Sequence, residues 1–290
     1  MISKRENRLG YALVIPSLLI IIAVGIIPIL VTTSYSFQNY VLTDPLNRKF
    51  IGLENYIDIL TNESFWFSLK NTLVFAGLSV VIQLVVGFLG ALLMNQATKA
   101  VGLVRTSILI PWAIPGIITA YMFSYMFNDQ LGVINSVALM LGHGGYSWLT
   151  HPYSAMFVVV LADTWKQFPY VSLMILAGLQ TIPSSMAESA RVDGAKESTI
   201  FWKVTLPNMK GVILVVLLFR TMGAIRIFDI IFGITGGGPA NSTVTLLYQA
   251  YKYLFGDMNF GKGSAMSVII TLIILAISVV YIRSIKTEEV

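Results

Sequence analysis

The sequence predicts an all-α integral membrane protein with six transmembrane helices, and three observations lead to this fold class. The 290 residues are 56% hydrophobic and only 11% charged, whereas soluble domains carry about 25% charged residues. Six apolar stretches reach or exceed the length of about 20 residues that a membrane helix needs. Lysine and arginine are concentrated in alternate connections between these stretches.

The apolar stretches define the predicted spans and leave no separate soluble domain, so residues 1–290 are predicted to form a single transmembrane domain. The spans are residues 11–34, 72–94, 106–127, 154–179, 211–232 and 264–285. Proline occurs inside three of them, at Pro16, Pro28, Pro111, Pro115 and Pro169. Proline is tolerated in a span where neighbouring groups satisfy the freed carbonyls, so these residues indicate either plain kinks or a cavity or hinge.

The basic residues predict the orientation of the chain in the membrane, because lysine and arginine are enriched in cytoplasmic connections. They are more numerous before span one, between spans two and three, between spans four and five, and after span six. Examples are Lys4, Arg5, Arg8, Lys99, Arg105, Arg191, Lys196, Lys203, Lys210, Arg283 and Lys286. Both termini and the connection of residues 180–210 are therefore predicted to be cytoplasmic.

Several functional classes are disfavoured by composition. The net charge of +5 does not indicate nucleic-acid binding, because the basic residues lie in short groups between apolar runs. The chain has no cysteine, which excludes disulfides, thiol catalysis and Cys-based metal sites. His143 and His151 have no second ligand at metal-binding spacing. The sequence contains no acid, base or metal constellation that predicts an enzyme.

The segment Gly256–Gly263 has the glycine and lysine spacing of a phosphate-binding loop. Gly263 stands where such a loop has Ser or Thr, so the hydroxyl that would bind magnesium is missing. The flanking residues predict membrane helices and not the strand and helix of that motif. We therefore expect this chain to bind no nucleotide or other cofactor.

The polar stretch Ile182–Lys210 lies between two apolar runs and predicts two short helices joined at Gly194. Ser185 and Glu188 have the spacing of a capping box, which predicts the start of the first helix after Pro183. Gly194 can adopt the positive φ that ends a helix. The second helix is predicted from about Lys196 to Thr205, ending before Pro207. Apolar faces on both helices favour docking of a partner at the membrane surface.

The same stretch resembles the "EAA" loop of inner-membrane permeases of ATP-driven importers. The residues that carry this resemblance have the family's spacing, with Ser189 replacing an Ala and Val204 replacing an Ile; they are Glu188, Ser189, Ala190, Asp193, Gly194, Val204, Leu206 and Pro207. The form Asp193-Gly194-Ala195 is typical of the sugar branch of the family. The segments Phe50–Tyr56 and Thr235–Pro239 also resemble sugar permeases.

The resemblance implies a permease subunit of a sugar importer in a bacterial or archaeal cytoplasmic membrane. It implies a second permease subunit, two ATPase subunits that bind ATP and Mg²⁺, and an extracytoplasmic binding protein that delivers the sugar. It further implies that Glu188 contacts an ATPase, that Gly194 bends the loop, and that Leu206 and Pro207 set the second helix against span five. Monosaccharides, oligosaccharides and phosphorylated polyols all stay open as substrates.

Charges inside the predicted spans indicate a second candidate site, because each is costly at the bilayer centre unless paired or hydrated. Five charged and three aromatic residues are candidates for a substrate path, namely Asp163, Lys166, Arg220, Arg226 and Asp229 with Trp165, Tyr170 and Phe228. Carboxylate and guanidinium groups can bind sugar hydroxyls directionally, and aromatic rings can stack on a sugar. Two alternatives are salt bridges that only orient helices and coupling sites of an ion-gradient-driven secondary transporter. The latter often has inverted repeats, and none is visible here.

Overall fold

The computed structural model describes residues 13–96 and 101–286, and these residues form an all-α membrane protein with one small hairpin. Tyr11 and Ala12 of predicted span one, and the basic residues Lys4, Arg5, Arg8 and Lys99, lie outside the described residues. Packing divides the chain into two compact units. One comprises residues up to 65 together with 250–272, and the other residues 66–249 together with those from 273 onward.

The helices are numbered here in chain order. They are α1 (Leu13–Ser36), α2 (Glu54–Thr61), α3 (Glu63–Gln96), α4 (Val101–Ala113), α5 (Gly116–Met126), α6 (Val133–Met140), α7 (Pro152–Leu179), α8 (Ser184–Val192), α9 (Glu197–Asn208), α10 (Lys210–Ile225), α11 (Asp229–Ile234), α12 (Leu246–Tyr251) and α13 (Phe260–Lys286). Strands β1 (Gln38–Asn39) and β2 (Lys49–Phe50) pair antiparallel.

Three helices in the described part of the chain, α1, α3 and α13, are each long and apolar enough to cross a membrane. Helix α1 is continuous through Pro16 and Pro28, and a π-helical turn at Ile21–Ile26 widens the helix just before Pro28. Three bent pairs, α4 with α5, α7 with α8, and α9 with α10, could provide up to three more crossings. Helix α7 runs through Pro169 and covers the predicted span of residues 154–179.

The predicted spans at residues 106–127 and 211–232 are not continuous helices. Helices α4 and α5 meet at 90° beside Pro115, whose extended ψ of 140° breaks the helix. Helix α10 ends at Ile225, and α11 begins after three further residues. The carbonyls of Ile114 and Ile227 beside these breaks accept hydrogen bonds from Lys166 Nζ and Thr245 Oγ1. Non-helical backbone is tolerated at membrane depth because such groups replace the lost helical bonds.

The larger unit has two buried apolar clusters. One is built by α3, α5, α7 and α11 around residues such as Phe75, Phe123 and Ile231. The other lies towards the connection of residues 180–210 and includes Phe88, Ile175 and Met209. In this second cluster α3 and α7 approach closely, because α3 has glycine at positions where a Cβ would collide with α7.

In the smaller unit, Asn55 is buried within the Phe50–Tyr56 segment noted above and links α2 to the end of α1 and to β1. Its amide donates to the carbonyls of Ser36 and Gln38, both at 2.9 Å. The guanidinium of Arg48 lies over the rings of Tyr35 and Tyr40, at 5.1 and 4.2 Å from their centroids. The hairpin is thereby fixed to the end of α1.

The Thr235–Pro239 segment forms an ordered connection within the larger unit. The hydroxyls of Thr235 and Thr243 lie 2.7 Å apart, and Tyr248 donates to the carbonyl of Gly236 at 2.9 Å. Gly237 has φ +87°, and any Cβ there would collide with Val244 and Tyr248. The glycines of this segment are thus required by its backbone and packing.

Candidate functional site

Residues 180–210 fold as two helices, α8 and α9, joined by a turn at Gly194. The amide of Gly194 donates to the carbonyl of Arg191 at 3.0 Å, and that of Ala195 to the carbonyl of Ala190 at 2.9 Å. This pair of bonds is a Schellman motif, which needs a left-handed residue at the position of Gly194. Gly194 has φ +82°, which confirms the predicted helix end.

Two local predictions in this segment were wrong. Helix α8 begins at Ser184 directly after Pro183, with no side-chain cap, so Ser185 lies inside the first turn and cannot form the predicted capping box. Helix α9 continues to Asn208 and does not end before Pro207. A π-helical turn over Phe201–Thr205 widens the helix there, so Pro207 falls in the first turn of a new helical segment, where its missing N–H is tolerated.

The two helices are linked by an ion pair that sequence reasoning missed. Arg191 Nε lies 2.6 Å from Glu197 Oε1, and Arg191 Nη2 donates to Glu197 Oε2 at 3.2 Å. The hydrogen bond from Arg191 lowers the pKa of Glu197, and the same bond raises the pKa of Arg191. The six-residue separation gave no signal, because these residues face each other only across the turn.

Helix α9 fastens the segment to the rest of the larger unit. Ile200 is buried, and Phe201 meets the ring of Phe88 edge-on, with centroids 5.4 Å apart. Leu206 packs against the same apolar cluster. Between α8, α9 and the ends of α3 and α7 lies a cavity of about 510 Å³, which the Arg191–Glu197 pair borders.

The exposed surface of the segment combines polar and apolar groups. Of the motif residues, Glu188, Ser189, Asp193, Gly194 and Pro207 are exposed, and Ala190, Val204 and Leu206 are partly buried. Three large apolar side chains are also exposed, Met186 by 40%, Val192 by 88% and Trp202 by 65%. Such a mixed surface is suited to binding another protein.

The second candidate site begins with a buried polar triad of Gln83, Asp163 and Arg220. Gln83 Nε2 donates to Asp163 Oδ2 at 2.7 Å, and Arg220 Nε donates to Gln83 Oε1 at 2.7 Å. Arg220 Nη2 lies 3.4 Å from Asp163 Oδ2. Asp163 is 2% and Arg220 7% exposed, so these groups face each other and not an open path. Gln83 was missed, although a glutamine within an apolar stretch is a readable signal.

The other intramembrane charges lie beside the two helix breaks. Lys166 donates to the carbonyl of Ile114 and is not paired with Asp163. Asp229 begins α11, and its Oδ1 accepts the Ile230 amide at 3.0 Å. A Cβ on Gly116 would overlap the Asp229 carboxylate, so the first turn of α5 abuts the first turn of α11.

Aromatic side chains extend from these breaks. Tyr170 stacks on Trp112 with centroids 6.2 Å apart, and Phe228 stacks on Tyr248 at 6.0 Å. Trp165 instead packs against Phe123 in the apolar cluster. Trp112 and Gly116 had not been singled out, because their neighbours are more than 50 residues away in sequence.

Arg226 is exposed and donates to the carbonyl of Met222 on its own chain segment at 3.3 Å. It is therefore not engaged with Asp229, three residues later. Within residues 13–96 and 101–286, no three His, Asp or Glu side chains are grouped so that they could hold a metal ion. The side chains beside the two helix breaks are therefore charged and aromatic groups.

Comparison with known proteins connects the chain to membrane transport. Residues 83–286 match the family described as the binding-protein-dependent transport system inner membrane component. The chain is 38% identical over 280 residues to the trehalose/maltose transport system permease protein MalF of Thermococcus litoralis, which covers 96% of this chain and 94% of that protein. It is 36% identical over 284 residues to the sulfoquinovosyl glycerol transport system permease protein SmoG of Agrobacterium fabrum, covering 98% and 92%.

A third relative is the sn-glycerol-3-phosphate transport system permease protein UgpA of Agrobacterium fabrum, 34% identical over 244 residues, 83% of this chain and 82% of that one. Among solved structures, the fold is similar to a chain of a bacterial ABC transporter that imports the acidic polysaccharide alginate. The TM-score is 0.85 at 21% identity, covering 98% of this chain and 96% of that chain.

Proposed function

Because the chain belongs to the family of inner-membrane components of binding-protein-dependent transport systems, we propose that it is one permease subunit of an ATP-driven importer for a sugar or related carbohydrate. It is a multi-pass membrane transport subunit and not an enzyme. Family membership favours this function over a gradient-driven carrier. The substrates named for its relatives include trehalose, maltose and glycerol 3-phosphate, which are all rich in hydroxyl groups.

The proposed topology has six crossings with both termini in the cytoplasm and residues 1–290 as one transmembrane domain. Helices α1, α3, α7 and α13 each cross once, α4 with α5 provide one broken crossing, and α10 with α11 provide another. Helices α8 and α9 then lie at the cytoplasmic surface as the coupling segment, by which we mean residues 180–210. The distribution of lysine and arginine supports this orientation.

The proposed mechanism is mechanical coupling. Two separate ATPase subunits bind ATP and Mg²⁺, and this chain binds no cofactor. One ATPase subunit holds the exposed face of the coupling segment, with Glu188 as a contact, and its closure moves the segment. A second permease carries a corresponding segment, and an extracytoplasmic binding protein delivers substrate to the path between the permeases. The observation that carries this proposal is the Gly194 turn, because it joins the two helices that carry the motif residues and leaves Glu188 and Asp193 exposed.

We place the substrate path at the two helix breaks. Lys166, Arg226 and Asp229 offer charged groups there, with Tyr170 and Phe228 as stacking surfaces. Asp163, Arg220 and the packed Trp165 are more remote, and the burial of the triad favours the alternative in which Asp163 and Arg220 orient helices. Discontinuous helices near mid-membrane are a recurrent way to expose backbone and side-chain groups to a substrate.

The test is a Gly194→Pro substitution in the complete complex, assayed with trehalose, maltose and sn-glycerol 3-phosphate. Proline cannot adopt φ +82° and cannot donate the amide bond to Arg191. We expect the chain to stay in the membrane while substrate-stimulated ATP hydrolysis and uptake are abolished. Gly142→Pro is the matched control, because Gly142 also has φ +79° and follows a helix end, but lies outside the coupling segment. Retained stimulation in Gly194→Pro would contradict the coupling role.

A further inference from the structure

The buried triad connects three helices that are far apart in the sequence. Gln83 lies on α3, Asp163 on α7 and Arg220 on α10. The side chains form a closed set, in which one oxygen, Asp163 Oδ2, faces both Gln83 Nε2 at 2.7 Å and Arg220 Nη2 at 3.4 Å. A slide of α10 along α7 by one helical turn would separate these groups by about 5 Å. The set is therefore specific for one register.

Helices α7 and α10 have a particular place in the chain, because they are the helices that precede and follow the coupling segment. Helix α7 ends at Leu179 and α10 begins at Lys210. At their inner ends they are in close contact, since a Cβ on Gly178 would lie 2.8 Å from Val212 Cγ1. Helix α3 is packed against α7 in the same way, because a Cβ on Gly87 would lie 2.7 Å from the Val171 Cβ.

Short stretches of α7 and α10 connect the triad to the residues beside both helix breaks. Arg220 precedes Arg226, the first residue after α10, by six positions, about 9 Å along a helix. Asp163 lies one turn from Lys166, which holds the Ile114 carbonyl at the other break. The triad thus lies between the coupling segment, about 15 Å from Lys210 along α10, and the residues beside the breaks.

We propose that Gln83, Asp163 and Arg220 are positioning residues that lock α3, α7 and α10 in one register, so that a displacement of the coupling segment reaches the helix breaks without slippage. Directional bonds between buried charges suit this task better than apolar packing, because the charges would be left unpaired in any other register. Apolar side chains can exchange partners at little cost. This inference rests on the proposed function of the coupling segment.

The test replaces the whole triad with apolar side chains, Gln83→Leu, Asp163→Leu and Arg220→Met together, in the assembled transporter. Replacement of an entire buried charged set by apolar residues is often neutral for stability, so a purely structural role predicts unchanged transport. The readout is the amount of substrate imported per ATP hydrolysed in proteoliposomes, with whichever of trehalose, maltose or sn-glycerol 3-phosphate the unaltered complex imports. We expect this ratio to fall by at least about fivefold while the ATPase subunits stay bound.

The matched control is Asp58→Asn with Lys262→Gln, which removes an exposed ion pair of 3.1 Å in the smaller unit. The control is expected to keep the ratio of the unaltered complex. An unchanged ratio in the triple variant would overturn the inference. If the unaltered complex imports no sugar or polyol phosphate in an ATP-driven manner, the proposed function fails, whereas failure of the inference leaves that uptake intact.

A second measurement covers the case in which the triple variant does not assemble. The chain has no cysteine, so Gly178→Cys with Val212→Cys introduces one defined cross-link between α7 and α10 while the triad stays intact. If the triad keeps these helices in register throughout the cycle, oxidation leaves uptake within about twofold of the reduced form, since a bridge between relatively immobile positions restricts nothing further. Loss of uptake on oxidation, recovered with reductant, would show that the helices slide and would overturn the inference.

Discussion

At the scale of single residues, the Arg191–Glu197 pair is the contact across the Gly194 turn that can be tested most simply. Its hydrogen bond lowers the pKa of Glu197 in the folded protein. A carboxyl with a lowered pKa contributes stability above its ordinary pKa and loses that contribution as the pH falls through the lowered value. The pair is therefore complete at neutral pH and weakens only in acid below the ordinary pKa of glutamate.

We expect Glu197→Gln to speed amide hydrogen exchange at Gly194 and Ala195 at pH 7, because the turn loses the contact that joins α8 to α9. Arg191→Gln should have a similar effect, and the double variant should exchange no faster than either single variant. Since both side chains are exposed, the change should be local and the whole-protein melting temperature should not shift measurably. Exchange rates that add in the double variant would show that the two residues act independently.

Residue spacing predicted one of these features and not the others. Gly194 was identified because a positive φ belongs to glycine wherever a helix must end. The helix starts after Pro183 as predicted, but the capping box at Ser185 and Glu188 failed because the helix already begins at Ser184, so Ser185 is not the N-cap residue. The partner of Arg191 depends on how the turn folds back, which no local spacing encodes.

At the scale of helices, close contacts between elements depend on single glycines. Gly87 of α3 is buried against Val171 of α7, whereas Gly77 of the same helix has no neighbour within 4 Å. We expect Gly87→Ala to destabilise the detergent-solubilised protein by about 1–3 kcal/mol through overpacking. Gly77→Ala should be neutral or stabilising by up to about 1 kcal/mol, because alanine is the better helix former.

Melting curves of the two variants at equal protein concentration measure this difference. Equal destabilisation by both substitutions would mean that helix propensity, and not the α3–α7 contact, determines the outcome. A neutral Gly87→Ala would show that α7 can move away from α3 without cost.

The contact between the two helix breaks gives a second prediction at this scale. Any side chain at Gly116 would overlap the Asp229 carboxylate, so Gly116→Ala should separate α5 from α11 and displace the groups beside the breaks. We expect uptake to fall by roughly tenfold to a hundredfold, as a displacement of about 1 Å at a functional site can do. Gly102→Ala in the adjoining α4 is the matched control, because nothing lies within 4 Å of that position. Equal uptake by both variants would remove the helix breaks from the proposed path.

Apolar length predicted where the helices lie but not how they break. Pro111 and Pro115 marked the third stretch as a possible kink, yet the Ile114 carbonyl beside the 90° bend is bonded by Lys166, which is 52 residues away in sequence. Pro207 led to the opposite error. It predicted the end of a helix, but the π-helical turn before it lets α9 continue. A proline in the sequence shows that one backbone hydrogen bond is missing. Which group replaces that bond depends on the rest of the fold.

At the scale of the whole molecule, composition was sufficient to predict a membrane protein, since so few charged residues cannot cover a soluble surface, and the length of the apolar stretches predicted that its spans are helices. The resemblance of the segment containing Glu188 and Gly194 led to the transporter family that the chain belongs to. The triad could not be predicted in the same way. Arg220 and Gln83 are 137 residues apart. Taken alone, each is a polar residue in an apolar stretch, and its position does not indicate its partner.

The proposed coupling mechanism requires that an ATPase subunit holds the coupling segment, and cross-linking at Val192 tests this most directly. Val192 ends α8 beside the Gly194 turn and is 88% exposed. In the assembled complex, Val192→Cys carrying a short photoreactive cross-linker should join this chain to the ATPase subunit. Met140→Cys, equally exposed at the end of α6, should not. If Val192→Cys gives no ATPase adduct with or without nucleotide while the complex is active, the coupling role of this segment is contradicted.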